Sequence, residues 1–344
     1  ILALAVLVKG SDHFVKAAAA IAEKFGISQF MIGLTLVAIG TSLPELASSV
    51  FAALADESAL IIGNVIGSNI ANVALIIGVA ASIITIKTEE KMLIRDGFIM
   101  LFVSVFFYIL LLTNLLSKYT GILFVILYFV YLLFIFETRK KTRDEYHFKA
   151  FIPYFFKFRY ILTLHRHVMK GLKYKKKDRK KIFLKEAIFT EKIYKDLLIV
   201  FLSGLAIYFG AKFMVDEAIY FANYFNIPTT IVGVTLVAFG TSVPELSITI
   251  SAARKGYGTI AIGNIIGSNI ANILLVAGVS SIIIPLTISK ITLLFTGPVM
   301  LLTSLMLLFF IESDWKIHRM KGISFLAIYI GFMIILFFTL NMNL

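Results

Sequence analysis

The chain has 344 residues, of which 59% are hydrophobic and 15% are charged. Soluble domains are nearer half apolar and a quarter charged, so this composition excludes a disordered chain and an ordinary soluble enzyme. It indicates a protein that crosses a membrane several times. The chain contains no cysteine, which excludes disulfides, thiolate metal sites and cysteine nucleophiles.

The net charge of +13 is concentrated in one central segment. Residues 139–195 contain 19 Lys and Arg against 5 Asp and Glu, whereas the rest of the chain is nearly neutral. This distribution is typical of a cytoplasmic loop under the positive-inside rule, so we expect no nucleic-acid partner. Phe148–Phe158 mixes aromatic and basic residues, and Lys173–Lys181 is strongly basic. The segment is therefore either a solvated connection or an element that contacts anionic lipid.

Ten apolar runs follow one another along the chain, each long enough to cross a bilayer core of about 30 Å. They cover residues 1–24, 29–54, 59–84, 96–114, 119–136, 196–223, 228–252, 259–286, 291–311 and 322–341. The first run is short before Lys9 and Ile1 is not an initiator Met, so we expect N-terminal residues to be missing. The runs predict an all-α membrane protein with about ten transmembrane helices.

The two halves of the chain repeat each other at an offset of 200 residues. MIGLTLVAIGTSLPEL at 31–46 corresponds to IVGVTLVAFGTSVPEL at 231–246, and IGNVIGSNIAN at 62–72 corresponds to IGNIIGSNIAN at 262–272. Each half contains five of the apolar runs, and a chain that crosses a membrane five times ends on the side opposite to its start. The second repeat must therefore enter the membrane from the opposite side. We therefore predict two inverted five-helix repeats, with a site between them near the middle of the membrane.

The repeats and the basic segment divide the chain into three parts. We expect a first membrane repeat at 1–137 with helices 1–5, a basic cytoplasmic loop at 138–195, and a second repeat at 196–344 with helices 6–10. With the loop inside, both termini lie outside the cytoplasm. The predicted location is the cell membrane.

Glu45 and Glu245 lie inside apolar runs at equivalent positions of the two repeats. A carboxylate at membrane depth costs about 2.5–3.5 kcal/mol on insertion scales, so it normally faces an internal cavity with a partner. One such Glu could be a protonated or helix-capping structural group. Two of them, in the same polar surroundings, favour a binding site.

Pro44 and Pro244 directly precede these carboxylates. Proline leaves the carbonyl four residues earlier, at Gly40 or Gly240, without its helical partner. Unpaired backbone at membrane depth is tolerated where it is buried or lines a wet cavity. A plain packing kink is the alternative, but it does not explain why hydroxyl groups cluster at both breaks. These hydroxyls belong to Thr41, Ser42, Thr241 and Ser242.

A second polar block, GSNIAN, follows in each repeat. Ser68 and Asn72 are four residues apart and share a helix face, as do Ser268 and Asn272. Each of these faces is able to point at the pair of glutamates.

Small residues and two further amides accompany this block. Gly63, Gly67 and Ala71 form a track that permits close contact between helices. Asn69 and Asn269 are either ligands or only packing groups between helices.

Every candidate ligand is an oxygen atom. No His lies in the polar blocks, so the site is unsuited to Zn²⁺ or Cu⁺. Ca²⁺ takes about six to eight oxygens in flexible geometry, and two Glu charges neutralise one Ca²⁺. Hydroxyl and carbonyl oxygens also suit Na⁺. The residues predict a hard-cation site built from both repeats, and we expect no cofactor.

At GTSLPE 40–45, GTSVPE 240–245 and the two GSNIAN blocks, the chain resembles prokaryotic members of the sodium/calcium exchanger family, within the cation/calcium antiporter superfamily. The resemblance implies ten helices, alternating access and exchange of three Na⁺ for one Ca²⁺. It also implies a set of ion ligands in each repeat, in which the alanines act through their backbone carbonyls. These are Ala38, Thr41, Ser42, Glu45, Ser68 and Asn72, with Ala238, Thr241, Ser242, Glu245, Ser268 and Asn272.

The chain departs from related exchangers at informative places. Some prokaryotic members and the potassium-dependent exchangers carry Asp where Asn272 stands, which argues against K⁺ cotransport. Proton/calcium exchangers tend to have Asn near the first-block Glu in place of Gly-Thr-Ser-x-Pro. The resemblance therefore implies an electrogenic, K⁺-independent Na⁺/Ca²⁺ antiporter, with a H⁺/Ca²⁺ antiporter as the alternative.

Two other classes fit less well. A passive channel usually builds its filter from a ring of several subunits and not from two buried Glu residues in one chain. An intramembrane hydrolase needs a base beside Ser42, and no His lies in the polar blocks. We therefore expect a transporter and not an enzyme, with Ca²⁺, Na⁺ and the lipid bilayer as its partners.

Overall fold

The structure is a computed structural model that describes residues 2–24, 40, 42–88, 90, 93–138, 151, 153–155, 160 and 186–341. A backbone inside a bilayer must satisfy its hydrogen bonds within each segment, which favours helices throughout. The longer helices are α1 Leu2–Lys24, α2 Leu43–Leu54, α3 Ser58–Ile83, α4 Leu93–Leu111, α5 Lys118–Thr138, α6 Glu186–Tyr224, α7 Thr229–Thr241, α8 Val243–Arg254, α9 Gly258–Ile283, α10 Thr292–Asp314 and α11 Arg319–Asn341.

The helices confirm the predicted all-α membrane fold. Within the described residues, seven helices are long and apolar enough to cross a membrane, and the bent pair α7 and α8 makes an eighth if it is counted as one span. Helix α2 is a shorter apolar helix. Most of the residues that precede it in the predicted second span lie outside the described part of the chain. The total of ten spans and the opposite orientation of the repeats stay predictions.

Helix α6 begins at Glu186 and therefore extends into the segment assigned to the basic loop. The apolar part, Tyr194–Tyr224, has 31 residues and a length of about 46 Å at 1.5 Å per residue. Because this exceeds the bilayer core, α6 is long enough to cross at a tilt.

Two short strand pairs join the halves of the protein. Strand β1 (Ile86–Lys87) pairs antiparallel with β4 (Lys316–Ile317), and β2 (Leu115–Leu116) pairs antiparallel with β3 (Leu286–Thr287). At the repeat offset of 200 residues, β1 corresponds to β3, and β2 corresponds to β4 with a shift of one residue. Each pair therefore contains one strand from each repeat, as expected when two similar halves pack around a twofold axis.

Helices α3 and α9 form the centre of the protein. In α3, 94% of the most apolar 18 residues is buried, against 28% in α6 and in α11. Both central helices also widen to π-helix at the same place, over Ala71–Ile77 and Asn272–Ala277. Such wide turns are frequent at functional sites, and here they begin beside Asn72 and at Asn272.

The predicted track of small residues brings α3 against α7. A Cβ atom on Gly67 would lie 2.5 Å from the Val234 carbonyl oxygen, and one on Gly233 would lie 2.6 Å from the Leu60 carbonyl oxygen. A Cβ on Gly63 would collide with the Thr230 carbonyl oxygen. The two backbones are therefore in direct contact, which only glycine permits at these positions.

We expect Gly63→Ala to lower the melting temperature of the detergent-solubilised protein, because the new methyl group must displace the α7 backbone. Overpacking of this kind costs about 1–3 kcal/mol. Gly204→Ala in α6 is the matched control, since no described atom lies within 4 Å of a Cβ at that position. Equal melting temperatures for the two variants would contradict close packing of α3 on α7.

Candidate functional site

The break that proline predicts is present in the second repeat. Helices α7 and α8 meet at a bend of 45°, and Ser242 between them has φ −83° and ψ 6°. Ser42 has nearly the same conformation, with φ −91° and ψ 9°, at the start of α2. Pro44 and Pro244 then occupy the first turn of α2 and α8, where their missing N–H costs no helical bond.

Both glutamates follow directly in the first turn of a helix and are only 1% exposed. The positive end of the helix dipole favours a carboxylate there. Ser242 Oγ donates to Glu45 Oε1 at 3.4 Å, and Ser268 Oγ donates to Glu245 Oε1 at 3.2 Å. The first bond crosses from the second repeat to the first.

Asn64 holds two of the predicted hydroxyl ligands in place. Its Oδ1 accepts from Ser68 Oγ and from Thr241 Oγ1, each at 3.4 Å. Its Nδ2 donates to Ser49 Oγ at 3.0 Å and to Ser48 Oγ at 3.3 Å. Thr241 Oγ1 lies closer to the Val237 carbonyl oxygen, at 3.0 Å, so its single proton has both Asn64 and the helix backbone as acceptors.

The amides of Asn72 and Asn272 pair across the repeats. Asn72 Nδ2 donates to Asn269 Oδ1 at 3.0 Å, and Asn272 Nδ2 donates to Asn69 Oδ1 at 3.2 Å. All four side chains are at most 1% exposed. The Oδ1 atoms of Asn72 and Asn272 accept no hydrogen bond from the described chain.

Buried oxygens without a hydrogen-bond partner are expensive unless a cation or water satisfies them. Among the described residues, several such atoms belong to the predicted ligand set. They include Ser42 Oγ, Glu45 Oε2, Asn72 Oδ1 and Asn272 Oδ1. The described residues form no group of three His, Cys, Asp or Glu that would suit a transition metal. The cluster is therefore chemically suited to a hard cation with few charged ligands.

The structure brings most of the predicted ligands together. The buried members are Ser42, Glu45, Ser68, Asn72, Thr241, Ser242, Glu245, Ser268 and Asn272. Ala238 is also buried, but its carbonyl already accepts from Ser242 N at 3.2 Å and from Thr241 Oγ1 at 3.4 Å. Its role as a backbone ligand stays a prediction. Ala38 and Thr41 lie outside the described residues.

The sequence places Asn64 on the helix face of Ser68, one turn earlier, but the supporting hydroxyls were not identified from it. Asn64 and the hydroxyls of Ser48 and Ser49 organise the site without being predicted ligands. The available signal was the repeat, since Asn264 and Thr249 stand at equivalent positions and are also joined, Asn264 Nδ2 to Thr249 Oγ1 at 3.3 Å.

Comparison with known proteins agrees with the geometry. The sequence model of the family described as "Sodium/calcium exchanger protein" matches residues 1–137 and 195–338. The chain is 49% identical to "Sodium/calcium exchanger MaX1" of Methanosarcina acetivorans, over 98% of this chain and 97% of that protein. It is 33% identical to "Inner membrane protein YrbG" of Escherichia coli strain K12, over 89% of this chain and 85% of that protein.

A solved structure of the sodium-calcium exchanger NCX_Mj, soaked with Na⁺ and Sr²⁺, is similar throughout. The two share 29% sequence identity and a TM-score of 0.60, over 96% of this chain and 94% of that chain. By its sequence and its fold, this chain belongs to the sodium/calcium exchanger protein family.

Proposed function

We propose that the protein exchanges Na⁺ for Ca²⁺ across the cell membrane by alternating access. The observation that carries the proposal is the buried oxygen cluster around Glu45 and Glu245, to which both repeats contribute. The name of MaX1, a relative along nearly the whole chain, supports this pair of ions.

The charge of the cluster explains why the two ions compete. With both carboxylates ionised, the cluster carries −2, which one Ca²⁺ neutralises. Na⁺ uses the same hydroxyl and amide oxygens, so its binding and that of Ca²⁺ oppose each other. The bend at Ser242 and the cross-repeat bonds support a position of the cluster between the two halves. A relative movement of the halves would open it to one side of the membrane at a time.

Proteoliposomes loaded with Na⁺ test the proposal. We expect an outward Na⁺ gradient to drive uptake of radiolabelled Ca²⁺, and a pH gradient without Na⁺ to drive none. Vesicles without protein give the background. Uptake that follows the pH gradient and ignores Na⁺ would identify a H⁺/Ca²⁺ antiporter and overturn the proposal.

The neutral amide at position 272 predicts exchange without K⁺. The Asn272→Asp substitution adds a carboxylate to a buried position on the helix that carries Ser268. This extra charge must be balanced, so we expect the variant to gain dependence on K⁺ or on pH that the parent lacks. Sodium-driven Ca²⁺ uptake with and without K⁺, repeated across pH, measures both.

Asn226→Asp serves as the charge control, since Asn226 is exposed in the turn before α7 and its φ of 52° is one that Asp tolerates. A parent protein that stalls without K⁺ would contradict the charge argument. An Asn272→Asp variant that behaves like Asn226→Asp would place residue 272 outside the ion shell.

We further propose the three-part division of the chain, with the basic segment cytoplasmic and both termini extracytoplasmic. The segment's excess of Lys and Arg supports this orientation. Contact with anionic lipid is part of the same proposal. Of its aromatic residues, Phe151 and Tyr154 are buried and pack against Phe134 of α5, with ring centroids 5.3 and 5.4 Å apart. These two rings therefore anchor the segment to the protein, and the basic residues remain the proposed lipid contact.

A further inference from the structure

Two methionines lie behind the amide pairs at equivalent positions of the repeats. Met300 of α10 and Met100 of α4 are both fully buried. Asn69 Nδ2 donates to Met300 Sδ at 3.6 Å, and Asn269 Nδ2 donates to Met100 Sδ at 3.8 Å. Asn269 Nδ2 also donates to the Asn69 backbone carbonyl at 3.4 Å.

A thioether decides which end of the neighbouring amide faces it. Sulfur in Met has no proton and acts only as a weak acceptor. Asn69 must therefore turn its NH₂ group to Met300, which turns its Oδ1 to Asn272. Asn272 in turn must present its NH₂ group to that oxygen, so its own Oδ1 points away from the pair.

A second series of hydrogen bonds, related to the first by the repeat, has the same order of methionine, first amide and second amide. Met100 Sδ and the Asn69 backbone carbonyl both accept from Asn269 Nδ2, which turns the Asn269 Oδ1 to Asn72. The Asn72 Oδ1 is left without a hydrogen-bond donor from the described chain. Each series begins on α4 or α10, crosses both central helices and ends at a predicted ligand. If either amide were reversed, an NH₂ group would face the cation in place of an oxygen.

We propose that Asn69 and Asn269, each held by a methionine sulfur, are positioning residues that aim the Asn272 and Asn72 carbonyl oxygens at the transported cation. The inference rests on the proposed function, because it assumes that Asn72 and Asn272 bind the ion. It assigns Asn69 and Asn269 a role other than direct ligation.

The test uses the fact that Asn69 pairs with Asn272 and not with Asn72. We expect Asn69→Leu, which keeps the side-chain shape but removes the acceptor, to raise the apparent KM for Ca²⁺ about fivefold in sodium-driven uptake, the effect of one hydrogen bond. Once Asn272 is Ala, the same change should have no further effect, because the oxygen that Asn69 aims is gone. Combined with Asn72→Ala, its effect should multiply with that of the second substitution.

A merely structural role for Asn69 would not distinguish Asn272 from Asn72. If the effect of Asn69→Leu on KM were coupled equally to Asn272→Ala and to Asn72→Ala, or to neither of them, the proposal would be overturned. Should Asn69→Leu fail to fold, Met300→Leu is the milder substitution, with an expected rise in KM of about twofold and the same selective coupling to Asn272. Independence of Met300→Leu from Asn272→Ala would equally overturn it.

The single variant Asn272→Ala separates this inference from the proposed function. A raised KM in Asn272→Ala together with an unchanged KM in Asn69→Leu would reject the positioning role and leave the ion site in place. An unchanged KM in Asn272→Ala, in a protein that still exchanges Na⁺ for Ca²⁺, would remove Asn272 from the ion shell and with it the positioning role. Absence of Na⁺-driven uptake in the parent protein would reject the proposed function itself.

Discussion

Replacing either Glu45 or Glu245 by Gln is expected to abolish Ca²⁺ exchange. Gln keeps the size of the side chain but removes one of the two negative charges that face the divalent ion. Two unit charges 4 Å apart interact by about 4 kcal/mol at an effective dielectric constant of 20, and Ca²⁺ doubles the charge on one side. Loss of even about 4 kcal/mol of binding free energy corresponds to about a thousandfold loss of affinity.

Each variant is compared with Glu57→Gln, the same substitution in the turn between α2 and α3, where the side chain is only half-buried. Sodium-driven Ca²⁺ uptake in proteoliposomes gives the activity, and the melting temperature shows that each variant is folded. The control should transport normally. A folded Glu45→Gln or Glu245→Gln variant with near-normal uptake would show that the two repeats do not share one cation.

Transport is also expected to move net charge across the membrane. A cluster of −2 is neutral with one Ca²⁺ and carries +1 with three Na⁺, the stoichiometry that the family resemblance implies. One charge that crosses the full field changes the driving force by about 2.3 kcal/mol per 100 mV. This corresponds to about a fiftyfold change in the Ca²⁺ ratio at equilibrium. A potential that is negative inside should therefore favour Ca²⁺ exit from the cell.

Vesicles whose potential is clamped by valinomycin and K⁺ gradients measure this effect. Exit of three Na⁺ for entry of one Ca²⁺ moves one positive charge out of the vesicle. Ca²⁺ uptake into Na⁺-loaded vesicles should therefore rise when the vesicle interior is positive, and fall when it is negative. Because the protein is predicted to ignore K⁺ as a substrate, K⁺ with no valinomycin present is the control. Uptake that is the same at both polarities would contradict the three-to-one charge count.

The amino-acid sequence alone was sufficient to predict the class of the protein and to name the main candidate residues of the site. A bilayer imposes long apolar helices, so hydropathy alone predicts the fold class. The repeat then identified Glu45 and Glu245, because carboxylates are costly at membrane depth and rarely occur at equivalent positions without a function. The break at Pro244 was equally predictable, since proline lacks the N–H that a helix interior needs.

The hydrogen bonds that join these groups could not be predicted from the sequence, because they depend on the packing of distant helices. The bond from Ser242 to Glu45 and the bond from Asn272 to Asn69 connect residues about 200 positions apart. Such partners depend on how α2, α3, α8 and α9 pack, which no local pattern encodes. The roles of Asn64 and Met300 were hidden for the same reason. An amide has a donor end and an acceptor end, and its orientation follows from the neighbours that packing places around it.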